Sequence, residues 1–531
     1  MKKLLVVILV LLSFISYGQM SKYGIELEPV TIDGLEGLQS YSFAQHQGDW
    51  LIVGGRLDGL HKRRPFESFT ASGDNKEIWV VNPTLKKVWT ASISTLPVAI
   101  QEQLGSTNHN FIQDANKLII TGGYGYSNTF GDHTTYKGLI AVDVSQTIDA
   151  VKNNKSFTGY FKAISDTLFK VTGGRLDKIN DKFYLVGGQN FEGRYNPMGP
   201  DHGPGFTQVY SNQIRKFKLS YNPLAFTLEG IHTDAQNLHR RDYNVVPQIM
   251  PNGKEGLTAF SGVFQEAVNL PFLNCVNITA DTFIVNNDFT QYYNHYHCAT
   301  VAVYDSAVNE MSTVFLGGIA RYFDVDGVLT VDDDVPFVKS IARVTRDKDG
   351  QMIETLLDAE MPDYLGAGSE FIANPSLLKF HNGVIKFNNF STDKIELGYI
   401  FGGIKSTAPN VFFSNDAVVS EAANKVYKVS LVKKGVGSIN EHAKQSSLQF
   451  QVFPNPSTSV FNVQFYIKST SNVNIEIHSL DGKVVQQTNL GKLMPKLHNV
   501  ALEFNRDLLA GTYFLTLSTD YNEVTHKVIL K

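Results

Sequence analysis

The sequence predicts an all-β chain: a closed ring of six four-stranded antiparallel sheets, a six-bladed β-propeller, followed by a small C-terminal antiparallel β-sandwich. Three observations carry this reading. An apolar run ending in a glycine doublet recurs six times along the chain. The composition is rich in Phe (35), Tyr (23) and Gly (43) with only 18% charged residues, which suits pleated strands joined by tight turns rather than a helical bundle or a disordered chain. The last 80 or so residues alternate apolar and polar in period two between turn signals. At 531 residues the chain is also too long for one ordinary core.

The doublets close Trp50-Leu-Ile-Val-Gly54-Gly55, Leu118-Ile-Ile-Thr-Gly122-Gly123, Phe183-Tyr-Leu-Val-Gly187-Gly188, Val314-Phe-Leu-Gly317-Gly318 and Tyr399-Ile-Phe-Gly402-Gly403. A degenerate copy, Leu257-Thr-Ala-Phe-Ser261-Gly262, supplies the fourth unit, so six units follow one another at roughly 55–85 residues. Each run is too short for a helix and is β-branched or aromatic. A strand precedes it and two strands follow, as Glu77-Ile-Trp-Val-Val and Lys87-Val-Trp-Thr do around the Asn82-Pro83 turn. Each unit is therefore a meander of strands a to d with the doublet ending strand b. Six such sheets in a ring bury one another's faces.

Over residues 23–432 this pattern resembles the kelch family of β-propellers, although the family's later Tyr and Trp positions are kept only in part, as at Trp79 and Trp89. The last unit reaches a third strand at Lys425–Val432 and has no fourth, whereas residues 23–32 form a strand with no unit of its own. The N-terminal strand is expected to complete the last blade, with Pro29 tolerated on an outermost strand.

Lys2 and Lys3, the apolar run Leu4–Ile15 and Ser16-Tyr17-Gly18 read as a secretory signal peptide over residues 1–18. The run is shorter than a membrane span, no Cys follows it for a lipid anchor, and no transmembrane segment is expected in the mature chain. Residues 433–448 are polar and aperiodic, a linker. In residues 449–531, Phe453-Pro454-Asn455-Pro456-Ser457, Ser479-Leu-Asp-Gly-Lys-Val-Val485, Leu509-Ala-Gly511-Thr-Tyr513-Phe514 and His526–Lys531 stand in order. They resemble a type A sorting domain of the type IX secretion system. The resemblance implies recognition by that machinery after periplasmic transit, then release or attachment to the outer cell surface.

The formal charge of −4 gives no electrostatic case for nucleic acid. The two cysteines, Cys275 and Cys298, are open to two readings, a disulfide of an exported protein or two buried thiols. In a propeller the loops entering strand a and those joining b to c share one face, and the b–c loops here are long: 56–76, 124–137, 189–211, 319–337 and 404–424. That face is the expected binding site, with Arg56, Tyr124, Tyr126, Gln189 and Arg321 after strand b, and His109, Arg240, Arg241, Tyr243, His295, His297 and Glu370 near strand a. Arginines among Tyr and His suit a hydroxyl-rich or anionic ligand such as a sugar. His295 and His297 have no third partner for a metal, and the acidic stretch Asp324–Asp334 has its glycine too early for a calcium loop, so no metal or cofactor is expected.

The primary expectation is an exported binding protein whose looped face engages a glycan or a protein. The alternative is a carbohydrate-acting enzyme, because kelch-like propellers include a sugar mutarotase and copper-radical oxidases. The first needs acid–base and anion-holding groups such as Glu370 and the arginines. The second needs a Cys-crosslinked Tyr, which a Cys275–Cys298 disulfide would exclude.

Overall fold

A computed structural model describes residues 20, 23–325, 328–387, 390, 392–414, 418–433, 450–453, 455–467, 470–479, 482–494, 496–505, 508–520 and 523–531. The segment expected to be a signal peptide, nearly all of the expected linker and Pro454 of the sorting motif lie outside these residues.

Six antiparallel meanders account for residues 23–433. The first sheet runs Ser42–His46, Asp49–Val53, Glu77–Asn82 and Lys87–Ser92 from its inner to its outer edge. The next four begin at inner strands Thr107–Asp114, Arg175–Ile179, Asn244–Ile249 and Ala299–Asp305. The sixth takes Tyr364–Ala373, Lys394–Ser406 and Val426–Lys433 from its own unit, and Tyr23–Val30 lies outermost against Val426–Lys433, from Tyr23↔Lys433 to Val30↔Val426.

Burial on both faces explains why the second strand of each unit reads as an unbroken apolar run rather than an alternating one. Leu51 and Val53 of the first sheet pack with Leu118 and Ile120 of the second. Their neighbours Trp50 and Ile52 point the other way, against Phe401 and Val426 of the sixth. Four further clusters join the second sheet to the third, third to fourth, fourth to fifth and fifth to sixth. Six interfaces for six sheets make the ring closed, a six-bladed propeller with no exposed sheet face between blades.

The doublets are needed for backbone reasons. Both residues of each have positive φ, from Gly54 (68°) and Gly55 (87°) to Gly402 (70°) and Gly403 (95°), and the degenerate unit keeps the shape with Ser261 (48°) and Gly262 (102°). L residues avoid that region. Space enforces the same choice, since a Cβ on Gly122 would lie 1.7 Å from the carbonyl oxygen of Val171 in the next unit.

One open reading is decided and one expectation is corrected. Cys275 and Cys298 share one apolar cluster but are free buried thiols, without a disulfide. Burial pushes both thiols up to about 12, and Sγ of Cys298 accepts a bond from Asn244 at 3.6 Å. The long b–c connections are not irregular loops. Asp132–Thr135 folds back on Lys117–Ser127 and also meets Gln189–Glu192, which pairs with Thr207–Tyr210, so the second and third connections form one small sheet. Tyr322–Val325 and Val328–Val331 make a hairpin in the fifth.

The segment leading into the fifth inner strand is tied down by Glu354, which is 5% exposed and accepts the backbone N–H groups of Tyr292 (2.5 Å) and Tyr293 (3.2 Å). Burial raises its carboxyl to about 8, against the pull of those two donors. A carboxyl raised in the fold holds its proton where the unfolded chain has lost it, so its contribution weakens stability as pH rises from about 4.5 to about 8. Glu354→Gln is expected to remove that slope in denaturant titrations across this window. An unchanged slope would mean that Glu354 is not the titrating group.

The C-terminal module is a sandwich of two sheets. One contains Phe450–Phe453, Val460–Ile467 and Lys496–Glu503; the other runs Val484–Leu493, Ser471–His478, Gly511–Thr519 and Glu523–Leu530. Phe461, Val463 and Phe465 meet Ile475, Ile477, Leu515 and Leu517 in its core.

Candidate functional site at the mouth of the central channel

The chain enters each inner strand through one residue that joins its neighbours in a closed cycle of backbone hydrogen bonds. Ser40 donates to Gly368 (2.8 Å), Asn108 to Ser40 (3.2 Å), Gly173 to Asn108 (3.2 Å) and Asp242 to Gly173 (2.8 Å). His297 donates to Asp242 (3.0 Å), and Gly368 to His297 (2.9 Å), which closes the circle. Five of the six have positive φ, between 49° and 71°. This ring is the neck of the channel.

Above the neck, on the doublet side, lies a cavity of about 320 Å³ lined from all six units. That volume is at the lower end of small-ligand sites. Its wall on the first three units is aromatic: His61 lies 4.8 Å from Tyr195, Phe69 5.4 Å from Tyr124 and Phe191 5.7 Å from Tyr195, between ring centroids. Phe264, Phe412 and Phe413 stand among the lining residues of the other side. Arg63 covers the ring of Phe413 at 5.0 Å and is only partly buried.

Below the neck the channel is bridged. Arg175, from the third inner strand, donates to Glu370 of the sixth at 3.2 Å, so the pair spans diametrically opposed sheets. His297 Nε2 lies 2.8 Å from the same carboxylate oxygen and 2.9 Å from Arg175 Nη1. Burial pushes the Glu370 carboxyl up, but Arg175 and His297 together outweigh it and hold the group below its usual range. His297 lines the cavity as well, and so connects the charged floor to whatever the cavity holds.

Five residues singled out from the sequence line this cavity: Arg56, Tyr124, Gln189, Arg241 and His297. Their free valences differ. Arg56 is spent on Asp58, Asp74 and the Thr70 carbonyl. Tyr124 donates to the Gly193 carbonyl at 2.7 Å and accepts from Tyr195 N. Arg241 binds Asp242 and the Tyr210 hydroxyl. Gln189 accepts from Gln208 at 2.5 Å. Glu370 belongs to the floor.

The others are placed elsewhere. Arg240 is fully buried between sheets and donates to the carbonyls of Asn237 (2.7 Å), Ser261 (2.6 Å) and Asn274 (3.1 Å). Tyr243, 1% exposed, donates to Val186 of the preceding unit. His109 wedges between two doublets, within 2.9 Å of Ser106 Oγ. His295 is buried with Nδ1 accepting the Arg321 N–H, and unlike His297 it does not line the cavity. Arg321 pairs with Asp333 outside the cavity, and Tyr126 packs on His133. Sequence reasoning missed Arg175, Phe69, Tyr195 and Arg63. Arg175 had a signal, since it stands two residues after Gly173 as Glu370 stands two after Gly368.

Among the described residues no group of three His, Cys, Asp or Glu side chains is arranged to hold a metal ion, and no helix is long and apolar enough to cross a membrane.

Residues 451–531 match the family model of a secretion system C-terminal sorting domain. No curated protein matches the chain. Among solved structures, one titled "Structure of YjhT" is similar at 10% identity and a TM-score of 0.42, covering 76% of this chain and all of that one.

Proposed function

We propose that the propeller is a kelch-type binding domain that takes the end of a glycan into the cavity at its channel mouth. Its sorting domain implies export by type IX secretion, to the cell surface or the medium. One observation carries the reading: a single concave site, built by all six units, combines aromatic faces for stacking with a polar floor. The rim supports a ligand longer than the cavity, because the connections around it carry exposed apolar side chains such as Phe66 (69%), Phe130 (70%) and Phe413 (61%).

Glycan-array screening of the mature chain, followed by calorimetry of the hits, tests this. Tyr195→Ala is expected to weaken binding about tenfold through lost stacking, measured below its own melting temperature. Binding that is indifferent to Tyr195 would move the site out of the cavity.

A second reading rests on the floor. A buried carboxylate, an imidazole and a guanidinium within 3.2 Å of one another can hold and pass a proton, which is what a sugar mutarotase requires. Accelerated exchange of sugar anomers by NMR, lost in His297→Asn, would favour this enzyme over simple binding. The oxidase reading has no such support, since Cys275 and Cys298 sit in an apolar cluster between the fourth and fifth sheets whose described members include no tyrosine.

A further inference from the structure

The four motif stretches of the sorting domain are separated by up to about 70 residues in sequence, yet the fold brings them to one line. Across the four-stranded sheet, Val484 pairs with His478, His478 with Phe514, and Phe514 with Lys527. Residues in register on neighbouring antiparallel strands point to the same face. That face is the outer one, because the adjacent residues Ile477, Leu515 and Val528 fill the core. Val484 is 45% and Phe514 37% exposed, and Lys527 is exposed.

The row is continued past the sheet edge by Asn455. Its side-chain amide acts as a short extra strand, with Nδ2 donating to the Lys527 carbonyl at 2.8 Å and Oδ1 accepting the Ile529 N–H at 2.9 Å. The backbone takes over at Ser457, whose N–H donates to Ile529 (3.0 Å) and whose carbonyl accepts from Lys531 (2.8 Å). This seals the outer edge of the last strand, which would otherwise offer unpaired groups for indiscriminate pairing. It also fixes Lys527 beside Phe514.

We propose that this row, Val484, His478, Phe514 and Lys527 with Asn455 as its latch, is the surface read by the secretion machinery. The stretches Phe453–Ser457, Leu509–Phe514 and His526–Lys531 each supply one member, and Ser479–Val485 supplies Val484 beside His478. The sorting signal is thus a folded surface rather than a linear tail. Its chemistry, an exposed aromatic ring beside a cation on a flat sheet, fits a partner groove with an apolar floor and an acidic side.

Export of the full chain from its own host tests the proposal, with the periplasmic and external pools quantified. Phe514→Glu and Lys527→Glu are expected to cut the external pool at least tenfold and fill the periplasm, with unchanged melting of the purified proteins. Asn455→Ala is expected to do the same and to speed hydrogen exchange at the Ile529 and Lys531 amides, while Asn455→Asp, which keeps only the acceptor, is intermediate. Leu517→Val, a core change that lowers stability without touching the row, serves as control and is expected to be exported. Native-level export of the Phe514 and Lys527 variants would overturn the proposal. So would equal failure of Leu517→Val, which would make export a matter of stability alone.

Discussion

Gly122→Ala is expected to destabilise the propeller by about 2–5 kcal/mol, a large share of a domain's stability. The residue has φ +65°, and a Cβ there would stand 1.7 Å from the Val171 carbonyl oxygen, on backbone that has no room to retreat. The left-handed conformation alone costs an L residue about 1–2 kcal/mol, and overpacking adds about 1–3 kcal/mol. The loss falls on the joint between the second and third units, which also carries the Gly123 N–H bond to Val171. Gly482→Ala, at φ +81° with nothing within 4 Å, is the comparison: it carries the conformational cost without the collision. Circular dichroism and chemical denaturation of both variants check the expectation, and equal stability would show that the close approach is relieved at little cost.

Arg240→Lys is expected to destabilise almost as much as Arg240→Ala. The guanidinium reaches three backbone carbonyls and the Asn274 Oδ1 (2.5 Å), and lies 4.0 Å from the centre of the Phe272 ring. A planar fork serves these acceptors together, whereas an ammonium on a flexible stem does not. Leaving buried carbonyls without donors costs about 1–3 kcal/mol each, so a loss of about 3 kcal/mol or more is expected in denaturant unfolding. Burial already lowers the Arg240 pKa to about 10. A lysine variant with native stability would show that charge, rather than fork geometry, holds this joint.

The sheets were legible because two successive positive φ values leave glycine as the favoured residue, and that need writes itself into the sequence six times. Even Ser261-Gly262 could be placed by spacing. The site was legible only in part. Nearness to the start of strand a points to the open face, but the residue after each neck position turns into the joint between sheets, as Tyr243 and His109 do. Arg240, two residues before its neck position, is buried there as well. Arg56 and Arg241 do reach the cavity, with their donors already committed to Asp58, Asp74 and Asp242. The disulfide could not be decided from sequence, since Cys275 and Cys298 share a cluster and bonding depends on a geometry that spacing does not encode. Phe69 and Tyr195 were hidden inside long connections, whose ring contact with one another has no periodic signature.

A necklace of six donors and six acceptors has neither a first bead nor a last. Linear repeat arrays fray from their termini because an outer repeat has one neighbour. Here Ser40 holds Gly368 as Asn108 holds Ser40, so each blade has two neighbours and removing any one breaks two links rather than one. Partial loss of the disc is therefore never a small step, and a protein exposed outside the cell keeps either the whole mouth or none of it.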